Sequence, residues 1–142
     1  MSTKRVVKIV LDTNVWVSAL LWGGKPAEII EAAEKGKLRI FISEEIIVEI
    51  SQVLAYPKIE KIYKTELRRQ ELIEQVLKIA KFVKATAKVE VVNEHPADNK
   101  FLECALAAKA NYIVSGDKHL LKVVSYKKIQ VSPLSDFLAL IG

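Results

Sequence analysis

The sequence predicts an α/β fold built on a mainly parallel sheet of about five strands. Short apolar runs of strand length alternate with stretches of helical periodicity, the pattern of βα units. Acidic residues close several of these segments. Three of the four aspartates, Asp12, Asp98 and Asp117, stand where a strand ends or a helix begins. The chain otherwise uses glutamate for its acid, thirteen Glu against four Asp, so the aspartates are not surface filler.

Residues 6–11 read as a buried parallel strand, an apolar run interrupted by one lysine. Thr13-Asn14 starts a short helix through Leu21, which Gly23-Gly24 breaks. Pro26 opens a second helix in the first-turn position that proline favours, and Gly36 stops it. Residues 39–42 form the second strand. Ser43 is placed to cap the next helix, with Glu44 and Glu45 at its positive dipole end. Tyr56-Pro57 ends that helix. Residues 58–64 read as a short basic helix or turn. Thr65 is placed to cap a long helix over 66–84, with Leu72, Ile73, Val76, Leu77, Ile79, Ala80 and Val83 as its apolar stripe. The third strand is expected at 88–92, followed by a loop over 93–97 and a helix over 98–110. Residues 112–114 read as the fourth strand, 115–117 as a turn and 118–121 as one helical turn. The fifth strand spans 129–131, and a helix over 133–140 closes the chain. No internal repeat, low-complexity tract or domain linker interrupts this order, so 1–142 reads as one domain.

The bulk properties narrow the function. No apolar stretch reaches the ~18 residues of a membrane helix, and the first residues, Met1 to Arg5, lead into a strand-like run rather than a signal peptide. The single Cys104 cannot form an internal disulfide, which fits a reducing cytoplasm. Within Leu102-Glu103-Cys104-Ala105-Leu106 it reads as a small helix side chain, not a nucleophile. The two histidines are too isolated for a zinc cluster. A net charge of +5 favours phosphate-rich partners. A Lys/Glu-rich solvated surface is the alternative explanation of that charge.

In parallel sheets, sites form outside the carboxyl ends of the strands, where Asp12 and Asp117 fall. Helical side chains advance roughly 100° per residue. After Ser43, that spacing puts Ile46, Ile50, Val53 and Leu54 on one apolar face, with Glu49 at its border and Glu44 and Glu45 pointing away. It also puts Asp98 on the face of Phe101, Leu102, Ala105 and Leu106, with Glu103 opposite. The geometry therefore nominates Asp12, Glu49, Asp98 and Asp117 and demotes Glu103. Four gathered carboxylates repel one another and would take up protons without a cation. A divalent ion with hard-oxygen preference, Mg²⁺ or Mn²⁺, removes that conflict and can lower the pKa of a bound water so that it attacks a phosphodiester. Each acid also has a plainer reading: Asp98 as a helix cap, Asp117 as a turn residue, Glu49 as an exposed helix acid. Asp12 is hardest to dismiss, because an acid closing a buried strand is costly without a partner. Asp136 reads simply as a first-turn acid of the last helix.

These residues resemble a known family. Val10-Leu11-Asp12-Thr13-Asn14-Val15, Glu49 within Glu49-Ile50-Ser51-Gln52-Val53-Leu54, Asp98-Asn99-Lys100-Phe101-Leu102-Glu103-Cys104-Ala105, and Val114-Ser115-Gly116-Asp117-Lys118-His119-Leu120-Leu121 are similar to the motifs of PIN domains. The likeness is greatest to the VapC-like toxins of toxin–antitoxin pairs and covers essentially the whole chain. It implies a three-layer α/β/α domain with a central parallel sheet and Mg²⁺- or Mn²⁺-dependent ribonuclease activity. It places the family acids at Asp12, Glu49, Asp98 and Asp117 and the supporting polar positions at Asn14 and Ser115. It also implies a small antitoxin partner and a homodimer. Relatives in this branch often carry further acids just before the Asp98 position, whereas this chain reads Glu94-His95-Pro96-Ala97, so any auxiliary acidic contact is in doubt. His95 stands near enough to aid a proton transfer; a loop histidine without a role is the plainer reading.

A basic rim of Lys58, Lys61, Lys64, Arg68 and Arg69, interleaved with Tyr56 and Tyr63, would suit single-stranded RNA, cations on phosphates and a ring for a base. A solvated helix face is its plain alternative. Lys118 lies beside the acids and is placed to touch a scissile phosphate. Trp16 and Trp22 read as core or dimer-interface residues. Two rivals to a ribonuclease stay open: a non-catalytic RNA- or partner-binding domain, and a structure-specific DNA nuclease.

Overall fold

The computed structural model describes residues 6–142; the expectation for Met1 to Arg5 lies outside them. Six strands form one sheet: β1 (Val7–Leu11), β2 (Leu38–Ile42), β3 (Lys81–Phe82), β4 (Tyr112–Val114), β5 (Ser125–Tyr126) and β6 (Ile129–Ser132). Their order across the sheet is β3-β2-β1-β4-β6-β5. All pairings are parallel except β5 on β6. Among the described residues, eight helices flank the sheet: α1 (Thr13–Leu21), α2 (Gly24–Glu34), α3 (Glu44–Leu54), α4 (Pro57–Tyr63), α5 (Thr65–Ile79), α6 (Asn99–Ala108), α7 (Lys118–Leu121) and α8 (Leu134–Ile141). A mainly parallel sheet flanked by helices is the expected architecture, with six strands where about five were expected.

Central strands buried on both faces explain the continuous apolar runs. Ile9, Val10, Leu11, Ile113 and Val114 are fully buried. Each large apolar side chain so buried stabilises the fold by about 1.5–3 kcal/mol. Helix α6 packs on β1, β2 and β4, and α2 packs on β2. Between α1 and α2 the chain turns through Gly23 and Gly24, both at positive φ (72° and 60°), a conformation glycine adopts without strain.

Several expected elements are corrected. The strand expected at 88–92 does not form. Its backbone groups are taken by side chains of α6 instead: Val89 N–H donates to Glu103 at 3.0 Å, and Val91 and Val92 N–H donate to Asn99 Oδ1 at 3.1 and 2.9 Å. The sheet edge is Lys81–Phe82, beside Phe41 and Ile42. Pairing there ends the long helix at Ile79 rather than Lys84, because Ala80 turns extended. A short hairpin strand, β5, adds the sixth strand.

The caps also differ. Ser43 makes no side-chain cap bond. Thr65 is not a cap but the first residue of α5, buried, with its hydroxyl donating to Leu54 C=O and to Glu60 at 2.9 Å. Glu60, from the preceding helix, also accepts from Glu66 N–H and so caps α5 from outside.

Asn99 is the main tether of the 88–92 segment, since its amide also donates to Val92 C=O at 3.3 Å and Pro96 C=O at 3.1 Å. Asn99→Ala should lower unfolding free energy by about 2–3 kcal/mol, the scale of a buried group losing several bonds, as read from urea denaturation. A loss below ~0.5 kcal/mol would show that the tether is redundant.

Candidate active site

The chain leaves β1 for β2 and β3 on one side, then returns to β4 and β6 on the other. Strand order therefore reverses between β1 and β4. A crevice opens at such a point, outside the carboxyl ends of the strands. Asp12 follows Leu11 at that end, and its N–H donates to Val114 C=O at 3.1 Å.

Asp12 is 3% exposed, and its carboxylate is hydrogen-bonded on both oxygens. Val15 N–H donates to Oδ1 at 2.8 Å, which caps α1. The buried Ser115 hydroxyl donates to Oδ2, and Gly116 adds a backbone bond. Ser115 Oγ in turn accepts from Asp117 N–H at 2.9 Å. Asp117 caps α7, accepting from His119 N–H at 2.7 Å. A chain of polar contacts thus links the ends of β1 and β4.

A cavity of about 360 Å³ lies over these groups, lined by Asp12, Glu49, Asp98 and Asp117 together with Thr13, Asn14 and Tyr56. The four sequence-nominated carboxylates come from separate elements and face one space. Asp98 is not a capping residue: it ends a 3-10 turn (Pro96–Asp98), makes no cap bond, and its Oδ2 is buried without a hydrogen-bond partner. Asn14 is exposed at the cavity wall.

Glu49 is occupied by two residues that the sequence reading did not single out. Thr13 hydroxyl donates to Oε1, and Lys100 Nζ pairs with Oε2 at 2.7 Å, both partners half-buried. A signal for Lys100 existed. A lysine in the first turn of a helix opposes the macrodipole and calls for an acidic partner.

Burial raises the pKa of Asp12 above the ordinary 3.8, the bonds from Ser115, Val15 and Gly116 oppose this, and the charge of Asp117 adds to it. Asp98 is raised by burial first and then by Asp117, partly offset by His95, with Glu49 and Asp12 adding further repulsion. The donor set is all hard oxygen, and the unpartnered Asp98 Oδ2 suits a cation ligand. Among the described residues, however, no three His, Cys, Asp or Glu side chains already converge as a metal clasp.

The remaining nominated residues lie around the rim or elsewhere. Lys58 and Lys61 are exposed on α4, whose Tyr56 end forms a cavity wall. Arg68 is exposed and Arg69 half-buried on α5; Lys118 is exposed beside Asp117. Tyr63 packs edge-on against Trp22, while Trp16 is fully buried core. His95 stacks on His119 with ring centroids 4.2 Å apart. His119 Nδ1 lies 3.0 Å from Glu94, within ion-pair range but not aligned for a hydrogen bond. Glu103 serves the 88–92 segment, away from the acids. Cys104 is buried, and burial pushes its thiol up to about 12, which excludes a nucleophile.

A raised carboxylate pKa opposes folding once pH passes it, because the folded state then holds charge at a greater cost than the unfolded chain. Without metal, Asp98→Asn should therefore melt higher than the parent near pH 7, by roughly 1–3 °C. The difference should shrink as pH falls through the raised pKa and vanish below 3.8, where both states carry a neutral acid. Scanning calorimetry in chelator across pH checks this. A lower melting point for the variant at pH 7 would mean that Asp98 is stabilising as it stands.

In sequence and in fold the chain is similar to known proteins. Residues 8–119 match the PIN domain family. The uncharacterized protein MJ1680 of Methanocaldococcus jannaschii is 30% identical over 118 residues, which is 82% of this chain and 75% of that protein. Among solved structures, VapBC2 from Rickettsia felis, bound to a DNA fragment from its promoter, superposes with a TM-score of 0.62 at 17% identity, over 89% of this chain and 98% of that one. PAE2754 from Pyrobaculum aerophilum gives 0.63 at 16% identity, over 95% of this chain and 89% of that one. At those identities the structures speak to fold, whereas the sequence match from 8 to 119 speaks to descent: the chain belongs to the PIN domain family.

Proposed function

We propose that this protein is a metal-dependent endoribonuclease and the toxin member of a toxin–antitoxin pair. The observation that carries this reading is one cavity faced by Asp12, Glu49, Asp98 and Asp117 at the point where strand order reverses. PIN domains are generally nucleases, and the similar VapBC2 fold supports an antitoxin partnership.

Asp12, Asp98 and Asp117 are the residues that would hold Mg²⁺ or Mn²⁺. The ion supplies Lewis acidity toward a phosphodiester and makes water a stronger nucleophile. The chain's own residues do the rest. Ser115 holds Asp12 in one rotamer and orients the Asp117 backbone. Lys100 balances the charge of Glu49, so the three aspartates carry the uncompensated negative charge of the cavity. Asn14 offers an exposed amide at the wall for a substrate oxygen. Tyr56, 53% exposed at the rim, presents a ring to a base, and Lys58, Lys61, Arg68, Arg69 and Lys118 supply cations for flanking phosphates.

Purified protein should cleave single-stranded RNA in Mg²⁺ or Mn²⁺ and stop in EDTA. Asp12→Asn should lower the rate by at least about 10²-fold, the scale of losing a main electrostatic group. Equal cleavage by that variant would assign the activity to a contaminant or another site. Flap DNA digested in parallel separates an RNA from a DNA nuclease.

One observation favours a second reading, a binding domain without cleavage: Glu49 is already paired with Lys100. That reading predicts no rise in melting temperature with Mn²⁺. A rise that Asp98→Asn abolishes would refute it.

Trp22, just past α1, Ile62 on α4 and Leu67 on α5 are 59%, 66% and 86% exposed, apolar surface that supports the proposed homodimer. Light scattering at micromolar concentration should give twice the chain mass, and a monomer there would overturn the dimer. No helix among the described residues is long and apolar enough to cross a membrane.

A further inference from the structure

A larger cavity, about 700 Å³, lies at the other end of the sheet, where the parallel strands begin. Four cations line it, Lys8, Arg39, Lys109 and Lys128, and none of its described lining residues is acidic. Lys8 and Arg39 are register partners on β1 and β2, so their backbones stand only about 4.8 Å apart. Asn111 and Gln130 add side-chain amides. Positive side chains carried on neighbouring strand positions repel one another, and a bound anion relieves that repulsion.

The backbone makes the arrangement more telling. Lys109 sits at φ 54° just past α6, and Lys128 at φ 70° in the two-residue turn between β5 and β6. Helix ends of this kind take glycine, and two-residue hairpins with two positive-φ residues take Asn-Gly. Here the turn is Lys127-Lys128, both at positive φ. A left-handed lysine is strained where a glycine would not be. Of the five non-glycine residues at positive φ among the described residues, two, Lys109 and Lys128, place an ammonium group on this cavity.

We propose that the amino-end cavity is a second nucleic-acid site, which binds the sugar-phosphate backbone of a single strand. Exposed cations on a broad rim suit successive phosphates, because each contact is weak alone and adds through counterion release. One small anion would need a closed, buried cradle. This site stands apart from the acid cavity, across the length of β1, and does not depend on the nuclease reading.

The test uses fluorescence anisotropy of a labelled 12-nucleotide oligouridylate with the full-length protein in EDTA, so that no strand is cut. Lys109→Gly/Lys128→Gly relieves both strained positions and should melt no lower than the parent. It should nevertheless bind roughly tenfold more weakly at 0.1 M salt, and its slope of log affinity against log salt should shrink by about 1.4, that is ~0.7 per lost phosphate contact. Arg39→Gln, on regular strand backbone, is a second variant and should shrink the slope by about 0.7. Lys78→Ala/Lys84→Ala removes the same charge from exposed positions elsewhere and should change affinity less than about twofold. Unchanged binding by the glycine pair and Arg39→Gln would overturn the site. So would equal weakening by the Lys78/Lys84 control, which would make binding a matter of overall charge. Displacement of the strand by uridine monophosphate at equal concentration would overturn the polynucleotide assignment in favour of a free nucleotide.

Discussion

Keeping a carboxylate inside a protein is the constraint around which the acidic end of this fold is arranged. Asp12 sits almost wholly out of water at the end of the central strand. An ionised group there is tolerable only if its oxygens are hydrogen-bonded. Val15 satisfies one oxygen and thereby starts α1; Ser115 satisfies the other and thereby locks the end of β4 against β1. The same serine then receives the Asp117 N–H, which sets where α7 begins. One acid therefore specifies two helix starts and a strand junction. Its pKa is still raised, so these bonds compensate burial only in part.

Charge is distributed unevenly along the strand direction. The carboxyl end gathers four acids, of which only Glu49 has an ion-pair partner among the described residues, Lys100. The amino end gathers four cations. The net charge of +5 hides this polarity. A polyanion approaching the domain meets acids bordered by Lys58, Lys61 and Lys118 at one end and cations without acids at the other, a difference that orients it before contact. Cations on the acidic cavity therefore matter more to a phosphate ligand than the overall charge suggests.

Much of the fold was legible because buried parallel strands leave a one-dimensional trace. The runs at 6–11 and 112–114 are apolar on both faces and needed no partner to be recognised. Residues 88–92 misled for a physical reason: Val89, Val91 and Val92 have strand-like propensity, but their backbone groups are claimed by Glu103 and Asn99 from a helix that comes later in the chain. Propensity cannot reveal a partner so placed. The two-residue strand Lys81–Phe82 is too short to carry a period at all. At the site, the acids could be read from their positions at element ends. Lys100 carried a signal in its first-turn position but not the identity of its partner, and Thr13 carried none, because both roles depend on Glu49 arriving from another helix. Resemblance to PIN domains supplied the order of the acids, and helical spacing independently set Glu103 aside, which its contact with Val89 explains.

Cys104 offers a practical handle. Its sulfur is wholly enclosed within α6, and its thiol is pushed up to about 12, so the folded chain presents almost no thiolate at neutral pH. An alkylating reagent can reach it only when the helix lifts from the sheet. The chain has no second cysteine to compete. The rate of labelling at this one sulfur is thus a built-in clock for opening of the core, readable by mass alone, without any engineered probe.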